Sequence, residues 1–343
     1  MIKLPDNLPD MRLVDRDEAK RLLCACEYGT PIEVPKDVVF EEELVSERFC
    51  AGKSVLRQIK ATVTRDGKSF SFPFHFVSPT NGTSVPAVVL INFRSFVPDE
   101  YLPSEEISDL GVAVASFNYQ DISPDDNDFE SLAGGFLGID RSRPDAPGKI
   151  AIWSWAASIV MNYVETRPEV DVKNTAVAGH SRLGKTSLYA GLFDERFKFV
   201  WSNDSGCSGA ALYRWKVGET AEIIHRAFPF WFCPNFANYT ASDDALPFDQ
   251  HWLLSLIAPR HVYVSSAIED TWSDPQAELR ACVAASEYYE ELGIPGLIGS
   301  PENAGVGLTL HDGNIGYHCR SGGHYLSRED WQLFVEYMNK HLD

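Results

Sequence analysis

The first apolar positions with a helical period are Ala19, Leu22, Leu23 and Cys26, which predict a helix over 17–27. Pro31, Pro35 and the acidic run 41–43 read as surface loop, so residues 1–45 are expected to form a peripheral N-terminal lead-in. From residue 46 the pattern changes to a strand period. Residues 55–63 and 69–77 predict two strands, and Arg65-Asp66-Gly67-Lys68 the tight turn of an antiparallel hairpin. Two mainly apolar runs follow, 86–93 and 111–117, of the kind buried on both faces of a parallel sheet. Ile152, Trp155, Ile159 and Tyr163 give 150–166 a helical stripe. Strands are then expected at 199–203, 261–267 and 315–319, with helices at 278–292 and 331–342. A hairpin leading into alternating strands and helices predicts a mostly parallel central sheet with helices on both faces, hence an α/β fold. Residues 46–343 are expected to be a single domain, with the Trp-, Phe- and Pro-rich segment 206–250 as an insertion over the sheet.

The rest of the chain is arranged around Thr175-Ala176-Val177-Ala178-Gly179-His180-Ser181-Arg182-Leu183-Gly184-Lys185. A short apolar strand runs into a glycine, a serine and a helix-like stretch, which is the pattern of a nucleophile elbow. The second glycine stands one place later than in G-x-S-x-G. Ser181 is then the candidate nucleophile, exposed at a strand end with a helix N-terminus beneath it. This places the chain in the α/β-hydrolase class, where the order along the chain is serine, acid, histidine.

Among nine histidines, His324 lies in the late glycine-rich loop Ser321-Gly322-Gly323-His324 and is the candidate base. His318 lies inside a strand and is expected to pack or to make a structural hydrogen bond. Two acids follow strands: Asp270 after 261–267, and Asp204 after 199–203. Asp270 is favoured, because a carboxylate after the next-to-last strand reaches the far nitrogen of the histidine. Asp204 is the alternative or a second acid, and alternation turns Glu269 the other way. The backbone N–H of Arg182 is expected to serve the oxyanion, with the Arg182 side chain adding positive charge. Lys185 lies one turn beyond Ser181 on the same face, where it can meet a substrate oxygen.

Composition narrows the partners. The chain has 343 residues and a net charge of −19, which argues against nucleic acid and anionic membrane surfaces. No stretch reaches membrane-spanning length, and residues 1–18 are largely polar and charged, so no signal peptide is visible. Seven scattered cysteines read as reduced thiols. The expected setting is cytoplasmic, or secreted if a signal has been removed. No histidine cluster has metal-ligand spacing, so neither a metal nor a cofactor is expected.

Gly179-His180-Ser181-Arg182-Leu183-Gly184-Lys185 resembles the glucuronoyl esterases of carbohydrate esterase family fifteen in their bacterial form. Other segments agree in order: 202–211, Gly218-Glu219-Thr220, 228–233, 246–251, Ile257-Ala258-Pro259-Arg260, 269–275 and 316–324, so the resemblance covers roughly 85–340. It implies an α/β-hydrolase fold and a serine esterase acting on esters of (4-O-methyl-)glucuronic acid, as on glucuronoxylan linked to lignin alcohols. The partner would be a small-molecule or oligosaccharide uronate ester. It further implies that Lys185, Glu219 and Trp272 hold the glucuronoyl ring. Members of the family place the acid at either of the positions held here by Asp204 and Asp270. One departure is Gly323-His324-Tyr325, where many members have Gly-His-Asp. The rival readings are an acetylxylan or other carbohydrate acetyl esterase with the same triad, a hydrolase-fold binding protein that has lost catalysis, and a structural partner acting through 206–250. The second of these would lack a triad residue, and none is missing.

Overall fold

In a computed structural model describing residues 2–81 and 84–342, the chain forms a ten-stranded sheet wrapped by helices. The strands are β1 (Val38–Arg48), β2 (Ser54–Arg65), β3 (Lys68–Pro79), β4 (Val85–Asn92), β5 (Ala113–Asn118), β6 (Val170–His180), β7 (Phe199–Asn203), β8 (His261–Ala267), β9 (Leu308–Leu310) and β10 (Ile315–Arg320). Their order across the sheet is β1-β2-β3-β5-β4-β6-β7-β8-β10-β9. β2 and β3 form the expected hairpin, paired from Ser54↔Pro79 to Arg65↔Lys68. From β5 to β10 every neighbouring pair is parallel. This is the α/β-hydrolase arrangement, with an extra antiparallel strand at each edge.

Alternation along the central strands divides the core in two. Val89 and Ile91 of β4, Val177 of β6 and Val200 of β7 enter one cluster, together with helices Arg16–Leu23, Lys149–Val164, Arg182–Phe193 and Pro275–Glu291. Val88 and Leu90, Ala176 and Ala178, and Phe199 and Trp201 enter the other, against helices Ser104–Asp109 and Arg328–Lys340. Both faces of the sheet are therefore covered, which is why these strands read as continuous apolar runs.

Several boundaries differ from the sequence reading, each for a local reason. The acidic run 41–43 is not loop. It lies in β1, whose outer edge meets solvent, so charged side chains cost little there. The N-terminal helix ends at Leu23, and the chain continues as a π-helical turn over Cys24–Tyr28. The helix expected from 278 starts at Pro275, because the Asp274 side chain caps the Ala277 N–H. The last helix starts at Arg328 rather than 331, closed by a capping box in which Ser327 and Asp330 exchange hydrogen bonds. β9 was not foreseen at all; it is three residues long. Between β7 and β8 the chain forms helix Ala221–Ala227 and the 3-10 turns Pro229–Trp231 and Pro234–Tyr239. All seven cysteines are free thiols. No helix among the described residues is long and apolar enough to cross a membrane.

Beneath the strand ends sits a buried carboxyl, Glu278, which accepts hydrogen bonds from Gly206 N–H (2.9 Å) and Ser266 Oγ–H (2.5 Å). Burial pushes it up to about 7. A carboxyl with a raised folded-state pKa contributes stability that is complete below its unfolded value and is lost as pH rises through about 7. Glu278→Gln keeps an acceptor for Gly206 and supplies a donor to Ser266. Urea unfolding at pH 5 and pH 8 should therefore show this variant losing less stability across that interval than the parent, by at most roughly 3 kcal/mol. Equal slopes for parent and variant would refute it.

Candidate active site

Four neighbouring strands, β6, β7, β8 and β10, deliver their carboxyl ends to one place. β6 ends at His180, and Ser181 turns the chain at φ 59°, ψ −127° into helix Arg182–Phe193. The turn is backed by a hydrogen bond from Ser181 N–H to Asn203 O of β7, 2.9 Å. Close approach requires the first glycine of the motif and crowds the second. A Cβ on Gly179 would lie 2.1 Å from Leu183 O. A Cβ on Gly184 would lie 3.0 Å from the Ser205 Cβ and 3.1 Å from Gly179 O. The late second glycine is thus the point where the elbow helix touches both the preceding strand and the loop after β7.

Ser181 Oγ lies 2.8 Å from His324 Nε2, and His324 Nδ1 lies 2.6 Å from Asp270 Oδ2. With a neutral ring protonated at Nδ1, the serine hydroxyl donates to His324 and His324 donates to Asp270, the arrangement of a nucleophile, its base and the base's orienting carboxylate. Asp270 also accepts from Ser273 N–H, 3.2 Å. Burial works against its charge, but the hydrogen bonds from His324 and Ser273 outweigh burial and hold the carboxyl below its ordinary range. The His324 loop leaves that ring partly open to solvent, with 42% of its side chain exposed.

Asp204 is close by but differently used. Its Oδ1 accepts from Ala267 N–H at 2.8 Å, its Oδ2 faces Arg320 Nη2 at 3.5 Å, and it is 1% exposed. Burial first, then the nearby Glu278 and Asp330, raise its pKa well above the carboxylate range. Asp204, Asp270 and His324 offer ligand atoms within 4.8 Å of one another, a spacing that would accept a metal ion. Hydrogen bonds to Ala267, Ser273 and Asp270 itself already engage these groups. His318 is structural, as expected: Tyr263 Oη lies 2.7 Å from its Nδ1, and Asp330 Oδ1 lies 2.8 Å from its Nε2.

The remaining residues singled out from the sequence are linked to the elbow and to one another: Lys185 N–H donates to Ser181 O at 3.2 Å. Lys185 is buried, donates to Ser205 O, and faces the Trp231 ring at 5.9 Å. Burial lowers its pKa, and the charge of Glu219 opposes that shift. Glu219 and Trp272 are joined through the backbone, Glu219 N–H donating to Trp272 O at 3.1 Å. Gly218 makes this possible at φ 73°, since a Cβ there would lie 2.5 Å from Thr271 O. Val217 N–H to Asp274 Oδ2, 2.8 Å, completes the strap, and the Trp272 indole is 53% exposed.

Sequence reasoning missed several residues around these. The Arg182 guanidinium pairs with Asp125 and lies over the rings of Trp231 (4.8 Å) and Phe228 (5.4 Å). Those rings stack on each other at 4.0 Å and 2°. Only the aromatic density of 206–250 hinted at Trp231, and nothing distinguished Asp125 from its acidic neighbours. The ring of His180, the middle of the elbow motif, packs against that of His324 at 4.4 Å with a 43° tilt, and its Nδ1 lies 2.6 Å from Asn203 Oδ1. Burial, then the neighbouring His324, pushes it down to about 3, so it stays neutral at working pH.

A family model described as glucuronyl esterase, fungi, matches residues 61–293. The chain is 43% identical over 238 residues to a carbohydrate esterase from an unknown prokaryotic organism, covering 68% of this chain and 54% of that protein. It is 31% identical over 258 residues to the 4-O-methyl-glucuronoyl methylesterase of Hypocrea jecorina, covering 71% and 52%. The chain thus spans about half the length of the curated relatives it matches. Among solved structures it is similar to a promiscuous CE15 esterase from a marine bacterial metagenome, with TM-score 0.85, 31% identity and coverage of 100% and 98%. It is also similar to the glucuronoyl esterase of Solibacter usitatus, with TM-score 0.87, 26% identity and coverage of 99% of each chain.

The two acids are separable by isosteric exchange. Asp270→Asn removes the acceptor that orients His324, and kcat should fall by about a thousandfold or more. Asp204→Asn leaves the His324 contacts in place, and kcat should stay within about tenfold of the parent. The opposite order of effects would transfer the role to Asp204.

Proposed function

The chain belongs to the glucuronoyl esterase family, and from that membership we propose that it is a serine esterase hydrolysing esters of (4-O-methyl-)glucuronic acid through an acyl-enzyme. The observation that carries the reading is the continuous Ser181–His324–Asp270 hydrogen-bond chain, set beside Lys185, Glu219 and Trp272. Ser181 Oγ attacks the ester carbonyl while His324 Nε2 takes its proton. Negative charge then develops on the carbonyl oxygen, where the Arg182 N–H groups meet it. Collapse breaks the bond to the alcohol, and His324 returns the proton to the leaving oxygen. Water repeats the sequence on the acyl-enzyme and releases glucuronate. Asp270 stays ionised throughout and favours the imidazolium that forms twice.

Recognition follows from the same geometry. The half-exposed Trp272 indole offers an apolar face to a sugar ring. Glu219 accepts hydrogen bonds from sugar hydroxyls and the Lys185 ammonium donates to an oxygen. The name of the fungal relatives supports a 4-O-methyl-glucuronoyl ester as the acyl side. Xylan-bound substrates of this kind fit a secreted enzyme better than the cytoplasmic setting expected from the sequence.

The test is a paired rate assay of benzyl glucuronate and an acetylated xylo-oligosaccharide. The glucuronate ester should be cleaved faster, and Ser181→Ala should abolish turnover with an unchanged circular-dichroism spectrum. Faster deacetylation would keep the triad but remove the roles given to Lys185, Glu219 and Trp272.

A further inference from the structure

Arg182 is held from outside the elbow. Its Nη1 donates to Asp125 Oδ2, and its guanidinium lies over Trp231 at 4.8 Å, Phe228 at 5.4 Å and Phe93 at 5.8 Å. Asp125 gathers two more donors: Trp231 Nε1–H reaches Oδ1 at 2.7 Å, and Tyr119 Oη–H reaches Oδ2 at 3.0 Å. These partners come from three separate parts of the chain: the 3-10 turn after β5, the elbow helix, and the turn Pro229–Trp231. The loop that carries Asp125 is fixed in turn. Trp153 Nε1–H donates to Ser123 O at 2.9 Å, and the Lys149 ammonium donates to Ser123 Oγ at 2.6 Å and to Asp128 O.

Two donors near the nucleophile are accounted for differently. The N–H of Phe93, the first after β4, is spent on Asn92 Oδ1 at 2.7 Å, although the loop after this strand commonly supplies an oxyanion donor. Arg182 Nε is buried and has no hydrogen-bond partner among the described residues. A buried donor left unpaired is costly, and such an atom beside a nucleophile is available to a substrate oxygen.

We propose that Asp125 is a positioning residue for the reaction: it anchors one end of the Arg182 guanidinium so that the other N–H groups meet the oxyanion. The inference rests on the oxyanion role given to Arg182 above. A carboxylate is needed there, because all three groups that reach Asp125 are donors and a carboxylate is acceptor-only. Burial first, and the Asp125 charge second, raise the Tyr119 phenol to about 12, so that group remains a donor across the working range. Asp125→Asn would place an amide N–H against one of these donors and remove the charge that pairs with Arg182, without changing the volume of the site.

The experiment is a double-mutant cycle on benzyl glucuronate with Asp125→Asn, Arg182→Ala and both together. Arg182→Ala should lower kcat by about a hundredfold or more. Asp125→Asn alone should lower kcat by about tenfold or more with KM within about threefold, because an oxyanion contact is made in the transition state. In the Arg182→Ala background Asp125→Asn should add nothing. Additive losses would overturn the inference, since Asp125 would then act through the fold rather than through Arg182. Parent-like kcat in Asp125→Asn would overturn it as well. Parent-like kcat in Arg182→Ala would instead remove the oxyanion role itself, and the inference with it. Trp231→Phe covers the case of an Asp125→Asn chain that does not fold. It keeps a ring over Arg182 but deletes one donor to Asp125, and its smaller kcat loss should also vanish in the Arg182→Ala background; a loss that persists there overturns the inference.

Discussion

Everything at the site depends on the backbone of one residue. Ser181 holds φ 59°, ψ −127°, a conformation that costs a non-glycine residue on the order of 1–3 kcal/mol. The surroundings impose it. Behind the turn, Asn203 O takes the Ser181 N–H, and in front of it the helix Arg182–Phe193 closes down onto Gly179, with no room for a Cβ at Gly179 and only a tight fit for one at Gly184. That same closeness brings Ser181 Oγ to 2.8 Å from His324 Nε2 and sets Arg182 and Lys185 in the first turn of the helix behind it. Relaxing the turn would therefore disperse Ser181, Arg182 and Lys185 together.

The parallel half of the sheet makes the meeting of distant residues inexpensive. Ser181, Asp204, Asp270 and His324 are spread over more than 140 positions, yet each follows the end of one of four adjacent strands. Two carboxylates arrive, and their surroundings divide the work. Asp270 receives a histidine and a backbone N–H, which favour its ionised form. Asp204 is shut into the core beside two other carboxyl groups and is tied to the end of β8. The distinction lies in the partners of each group; the chain alone favoured Asp270 by the strand it follows and left Asp204 as the alternative or second acid.

This explains how far the sequence could be read. The hairpin, the central strands and the elbow have short-range signatures: an Asp-Gly turn, double-sided apolar runs, and glycines flanking a serine. Lys185 and Arg182 inherit their places from the elbow helix, so their neighbourhood was legible as well. Asp125 had no such signature. Its position depends on Trp231, more than a hundred residues further on, and on a loop held by Trp153 and Lys149. His180 was passed over because a histidine between a glycine and a serine carries no periodic signal, although its ring packs directly on His324. At the sheet edge, β1 was hidden by its own charges, which suit an exposed strand as well as a loop.

The central claim is that Ser181 is an activated nucleophile, and labelling with a fluorophosphonate tests it most directly. Such a reagent reacts with a serine whose proton is taken by a neighbouring base and whose oxyanion is received by donors. Peptide mass analysis should find one label per chain, on the peptide containing Ser181, with loss of esterase activity in step with labelling. A fully active protein carrying the label elsewhere, or inactivation with Ser181 unlabelled, would contradict the account.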